Sequence, residues 1–199
     1  GSEVTQVYRG PLFLRGFDRE IREGLAKEMR QRGVDLQFDV DVTRIERQAT
    51  GELEVSLNSG DTCMVDCVLF ATGRRPATSG LGLESVGVTL DEAGRIPVDS
   101  TFQTEVPSIY ALGDVSNRMQ LTPVALAEAM CLLEHLYGDG QRAMSYDLVP
   151  SAVFSQPPIG TVGLTEEEAR QRFEEITVYQ SSFRPMQLTM TELTERTIM

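Results

Sequence analysis

The chain has 199 residues, 41% of them hydrophobic, enough for a packed core in one large domain or two small ones. Its formal charge is −12, with 30 acidic residues against 18 basic ones, which argues against nucleic acid and anionic membranes as partners. No apolar run has the length needed to cross a membrane, and no basic start with an apolar middle marks a signal peptide, so a cytoplasmic location is the default expectation.

Glu3 to Tyr8 reads as a strand, and no glycine fingerprint precedes it. The end of such a strand in a dinucleotide-binding βαβ unit selects the cofactor: an acidic residue suits a ribose 2′-hydroxyl, and arginine suits a 2′-phosphate. Here the strand ends in Arg9, and a Gly-Pro turn brings Arg15 within reach. Two guanidinium groups can clamp a dianionic phosphate with paired hydrogen bonds, although spacing alone favours two solvated arginines of a loop. Asp18 to Arg32 has helical spacing, with Ile21, Leu25 and Met29 on one face, Asp18 as N-cap and Gly33 as stop. Short β-like runs follow at Val34–Phe38, Val40–Glu46, Leu53–Leu57 and Cys63–Val65, divided by polar turns, and predict an antiparallel appendage.

Three cysteines, Cys63, Cys67 and Cys131, do not make a secreted disulfide framework. Cys63 and Cys67 lie four residues apart in a run with strand character, which spans about 13 Å. A disulfide needs Cα atoms within roughly 7 Å, so the pair is rejected as a redox centre unless the chain bends between them. Asp66–Ala71 reads as a buried strand that ends in Thr72-Gly73-Arg74-Arg75-Pro76, where Gly73 allows close approach of a ligand to the backbone. A connector with one or two helical turns near Leu81–Val86 leads to the apolar run Ile109–Leu112, closed by Gly113 and Asp114.

Thr122 is expected to cap a helix through Tyr137, with Pro123 in its first position. The resulting order is strand, Gly-Asp, loop and capped helix. A carboxylate at a strand end accepts hydrogen bonds from ligand hydroxyls, and a helix start offers free N–H groups and positive partial charge. Spacing alone is equally compatible with an ordinary core in which Asp114 is a turn residue. His135, the only histidine, falls late on this helix and reads as a surface residue, and no metal site can be assembled. In the last part, Val153-Phe154 and Thr161–Leu164 read as strands around Gln156-Pro157-Pro158. Thr165 and Glu168 form a capping box, and Ile176–Phe183 and Leu188–Met199 have strand character.

The motifs VYRGPLFLRGFD, ATGRRP, TEVPSIYALGD, LTPVALAEA and VFSQPPIGTVGLTEEEA occur in the order and register of the FAD-dependent pyridine-nucleotide disulfide oxidoreductases, and most resemble the glutathione reductases within that family. The resemblance implies an α/β fold: partial Rossmann-like FAD- and NAD(P)-binding domains, then the first half of an α+β dimerisation domain. The implied boundaries are 1–76 for the rear of an NADPH domain, 77–147 for the returning segment of an FAD domain, and 148–199 for the front of the interface domain.

The family's roles then fall on particular residues. Arg9 and Arg15 would hold the NADPH 2′-phosphate, and Gly73 and Arg74 would face NADPH. Gly113 and Asp114 would hold an FAD ribityl hydroxyl, and the backbone at Leu121–Thr122 would point at the flavin pyrimidine edge. The implied partners are glutathione disulfide and a second subunit in a homodimer. The family's redox cysteines, glycine fingerprints and C-terminal His-Glu pair are not in this sequence, so no catalytic residue is assigned and the 199 residues alone are expected to be inactive. Met130 stands where many glutathione reductases carry an arginine for a glutathione carboxylate, which leaves trypanothione reductase open as an alternative. Dihydrolipoamide dehydrogenase normally uses NAD, against Arg9 and Arg15. A non-catalytic nucleotide-binding or dimerisation module is the rival from another class.

Overall fold

β1 (Thr5–Tyr8) and β2 (Asp35–Phe38) pair in parallel, with Thr5 opposite Asp35 and Tyr8 opposite Phe38, and the helix between them, α1 (Arg19–Gln31), makes the crossover. A computed structural model provides these elements; it describes residues 1–116, 119–192, 194 and 196–199. The chain forms two compact units, Gly1–Leu69 with Pro150–Met199, and Phe70–Val149.

In the first unit α1 forms because its apolar residues recur at helical spacing and face inward. Leu25 and Ala26 pack with Phe13 and Leu36 in a core that Met29, Val34 and Phe38 extend. Phe13 meets Phe38 edge to face at 5.5 Å, a favoured aromatic geometry. The helix stops at Gly33, whose φ of +87° costs glycine little. The Gly33 amide donates to Arg30 and the Val34 amide to Met29, which occupies two of the last helical carbonyls. The other end departs from expectation: Asp18 precedes the helix but its side chain does not cap it. Its carboxylate instead accepts the amide of Glu166, at the start of another helix.

β3 (Val42–Arg47), β4 (Leu53–Leu57) and β5 (Thr62–Val65) form the antiparallel appendage, but the first run expected in it, β2, leaves it and pairs in parallel with β1 instead. Beyond it the expected strand Asp66–Ala71 does not form. This stretch has no ladder partner among the described residues, and Leu69 and Phe70 are 87% and 63% exposed. Cys67 therefore lies outside β5, and all three cysteines are free.

The rest of this unit comprises β6 (Ser151–Val153) and β7 (Ile159–Thr161), α3 (Glu166–Arg172), and β8 (Ser182–Phe183) paired with β9 (Thr197–Ile198). β7 begins just after the two prolines, so the strand expected at Thr161–Leu164 lies two residues earlier. Phe154 lies outside β6. The expected strand Ile176–Phe183 contracts to its last two residues. That at Leu188–Met199 contracts to Thr197–Ile198, and its positions 193 and 195 lie outside the described residues. The Thr165–Glu168 capping box is present, with each side chain bonded to the other's backbone amide.

The second unit has no ladder of strands among its described residues. Its core is Val88, Ile96 and Ala111, packed by Leu90, Val98, Val106 and Ile109. Polar turns organise it. Asp91 accepts the Ala93 and Arg95 amides, and Asp99 accepts those of Thr101 and Gln103. These bonds, together with the Thr101 hydroxyl on Asp99, hold both carboxyls below their ordinary value of 3.8, chiefly through the Arg95 amide for Asp91 and the Thr101 hydroxyl for Asp99. The expected strand Ile109–Leu112 is an extended segment with a single bridge, Gln103 to Tyr110, because nothing longer runs beside it. The 16-residue helix α2 (Thr122–Tyr137) follows. A 3₁₀ turn at Leu83–Val86 fulfils the expected helical turn.

Candidate functional site

The sequence-predicted residues fall into two groups, one in each unit. Arg9 and Arg15 flank a loop of the first unit, and both side chains are exposed. Buried Phe13 anchors that loop, and the Arg22 guanidinium donates to the carbonyls of Leu12 and Phe13 at 2.6 Å each. The Asp39 amide closes on Gly10. A well-tied loop thus presents two arginines that take no hydrogen-bond or ionic partner among the described residues.

The second group surrounds Asp114. Gly113 to Val115 make a 3₁₀ turn, in which Gly113 has a φ of +70°. A side chain there would also meet the Ala125 Cβ at 3.2 Å. Glycine is required on both counts, and its small size lets the turn rest on α2. The turn is tied to its surroundings by the Ile96 amide on the Val115 carbonyl and by the Ser116 amide and hydroxyl on the Gly113 carbonyl.

The Asp114 carboxylate remains partly exposed and meets Arg74 at 3.2 Å. The fold thus unites two predicted residues that lie 40 positions apart in the chain. Gly73, next to Arg74, has a φ of +130° and open space where a Cβ would stand. A cleft of about 420 Å³ adjoins them, lined by Arg74, Arg75, Glu92, Arg95 and Gln120. Arg95 is committed to Asp91 at 2.5 Å.

The helix start is one residue earlier than expected. Leu121 is the N-cap, Thr122 is the first helical residue and Pro123 the second. Thr122 therefore does not cap the helix with its hydroxyl. Its N–H takes no backbone acceptor among the described residues and stays available to a ligand. His135 lies exposed in the last turn of α2, and Met130 is 48% exposed on the same helix.

Two residues at this site escaped the sequence reading. Glu128 is 1% exposed, and its carboxylate accepts the Gly113 amide and the Tyr146 hydroxyl, each at 2.6 Å. The signal was present: Val124, Glu128 and Cys131 form the buried stripe of α2, so a carboxylate occupies a core position. Nothing in the local pattern marks Tyr146. Among the described residues no three His, Cys, Asp or Glu side chains gather to hold a metal ion. No helix among them is long and apolar enough to cross a membrane.

Residues 1–129 match the family model described as pyridine nucleotide-disulphide oxidoreductase, and residues 149–199 match the dimerisation domain of the same family. A glutathione reductase from Burkholderia cepacia is 46% identical over the whole chain, and the chloroplastic/mitochondrial glutathione reductase of Pisum sativum is also 46% identical. A trypanothione reductase from Trypanosoma congolense is 45% identical over 94% of the chain. The chain spans 44%, 36% and 38% of those proteins respectively, less than half of each. Among solved structures, the Cu(II) complex of a mutant of the HOCl-induced flavoprotein disulfide reductase RclA from Escherichia coli superposes with a TM-score of 0.84. It is 33% identical, and the match covers 92% of this chain and 41% of that one.

Proposed function

Because this chain belongs to the pyridine nucleotide-disulphide oxidoreductase family, we propose that it is part of a homodimeric flavoprotein disulfide reductase that uses FAD and NADPH to reduce glutathione disulfide. On this reading residues 1–76 belong to the NADPH domain, 77–147 to the FAD domain and 148–199 to the interface domain. The observation that carries it is the Gly113–Asp114 turn seated on the start of α2, with a reachable carboxylate and a free helix-start N–H beside it. A flavin's ribityl chain offers hydroxyl donors to the first, and its pyrimidine edge offers acceptors to the second.

When bound, FAD supplies the electron relay between NADPH and a disulfide. The chain's own residues bind and orient. Asp114 accepts a ribityl hydroxyl, and Arg74, 3.2 Å from that carboxylate, helps to aim it. The N–H at Thr122 and the positive end of α2 favour negative charge on a nearby ring. Arg9 and Arg15 take the 2′-phosphate, on a loop that Arg22 and Phe13 hold ready. The open space at Gly73 admits a ligand against the backbone.

The test is oxidation of NADPH and of NADH by the full-length protein that carries these residues, with glutathione disulfide as acceptor. NADPH-selective turnover is expected, with Arg9→Gln and Arg15→Gln each narrowing the preference. Turnover with NADH alone would sink the arginine clamp. A second reading, trypanothione disulfide as substrate, draws on Met130, which offers no positive charge to a glutathione carboxylate, and on the trypanothione reductase relatives. Faster turnover with trypanothione disulfide than with glutathione disulfide would favour it. An absence of bound FAD and of any turnover would favour a non-catalytic module.

A further inference from the structure

Glu128 is almost completely buried on α2, yet it is not an idle core residue. Both of its oxygens are engaged: Oε2 accepts the Gly113 N–H and Oε1 accepts the Tyr146 O–H, at 2.6 Å each. Hydrogen bonds to a carboxylate are shorter and stronger than neutral ones, and in a dry interior they hold geometry tightly. The amide it grips belongs to the residue before Asp114. That residue has a left-handed φ and lies against Ala125, one helical turn before Glu128 on the same helix. The direction of the Gly113 amide sets where the next residue's side chain leaves the turn.

We propose that Glu128 is the positioning residue for Asp114. Its carboxylate locks the Gly113 amide and ties it to Tyr146, so that the Asp114 side chain is aimed at its ligand before the ligand arrives. Arg74 holds the same aspartate from the exposed side. Glu128 therefore acts through Asp114 and touches no ligand itself. This inference rests on the proposal that Asp114 binds FAD.

The test is FAD affinity in the full-length protein, measured by flavin fluorescence after removal of the cofactor. Failure of the wild-type protein to bind FAD would overturn the binding reading itself. With wild-type binding established, Glu128→Ala is expected to weaken it about tenfold or more, the scale of a misaimed contact. Glu128→Gln should recover most of that loss: its amide oxygen accepts from Gly113, and its amino group donates to the Tyr146 oxygen, which can also accept. A double-mutant cycle with Asp114→Ala separates positioning from general support. If Glu128 works through Asp114, Glu128→Ala costs nothing more once Asp114 is gone. An equal loss in both backgrounds, or no loss in either, overturns the proposal. Should the alanine variant fail to fold, Tyr146→Phe, which removes one hydroxyl, carries the same cycle, and its two outcomes support or overturn the proposal in the same way.

Discussion

Glu28 and Glu128 each lie on the buried face of a helix, one in each unit, and they are 6% and 1% exposed. Glu128 has a partner on each oxygen. Glu28 carries a buried Oε2 with no hydrogen-bond partner among the described residues, beside a groove of about 490 Å³ whose walls include Ile21, Leu25, Arg32, Ile159, Arg196 and Ile198. A buried carboxylate is costly to desolvate, and only hydrogen bonds or charge partners offset that cost. The same residue type is therefore a brace in the second unit and a liability in the first. Burial alone does not tell a residue's role; the fate of its polar atoms does.

One substitution made at both places breaks or sharpens this contrast. Glu128→Met keeps the volume and removes both acceptors, which leaves the Gly113 N–H and the Tyr146 O–H without them. A loss of about 2–4 kcal/mol is expected from two charge-assisted bonds, read as a lower urea midpoint at constant m-value. Glu28→Met removes a buried oxygen that accepts no hydrogen bond among the described residues and extends the apolar part of the groove wall. It is expected to raise stability by about 1 kcal/mol. If Glu28→Met costs as much as Glu128→Met, the contrast fails, and Glu28 has a function that its surroundings do not reveal.

A third substitution tests how the first unit uses a carboxylate that does have a partner. Asp18 sits where a helix cap belongs, but its oxygen accepts the Glu166 amide at 2.6 Å, at the start of α3. Asp18→Ala is expected to cost about 1 kcal/mol, as for loss of a helix cap. Amide exchange should quicken at Glu166 and leave the first turn of α1 unchanged. Faster exchange in α1 alone would restore the local cap that the sequence suggested.

What the sequence disclosed about these regions follows the range of the interactions. The helix from Arg19 to Gln31, its Gly33 stop, the β3–β5 meander and the Thr165–Glu168 box are local devices, and all were legible from spacing. The runs Asp66–Ala71 and Ile109–Leu112 have strand composition but form no strand, because a ladder needs a neighbour that composition does not name. The Arg74–Asp114 pair spans 40 residues and the Asp18–Glu166 bond 148, beyond any local pattern. Asp114 was legible as a candidate because Gly-Asp before a proline-started helix is a local signature. Its brace was half legible, since Glu128 stands in the Val124–Cys131 stripe, whereas Tyr146 joins it across 18 residues.

The smallest effect concerns an exposed carboxylate that accepts two hydrogen bonds from one residue. Glu168 is held below its ordinary value of 4.5, first by the Thr165 amide and then by the Thr165 hydroxyl. Lowered in the folded state, it contributes stability that is fully present above 4.5 and is lost as pH falls through the lower folded value. The carbon resonance of its carboxyl, followed by NMR, should titrate below 4.5. The Thr165 amide resonance should move with the same midpoint, because it donates to that carboxylate at 2.9 Å. Glutamine also serves in a capping box, so Glu168→Gln should keep α3 capped at neutral pH and abolish the shift of the Thr165 amide on acidification. Retention of that shift in the glutamine variant would assign it to another group. A wild-type midpoint at or above 4.5 would mean that solvent, and not Thr165, sets the charge of this exposed carboxylate, and that its ionisation adds nothing to the cap.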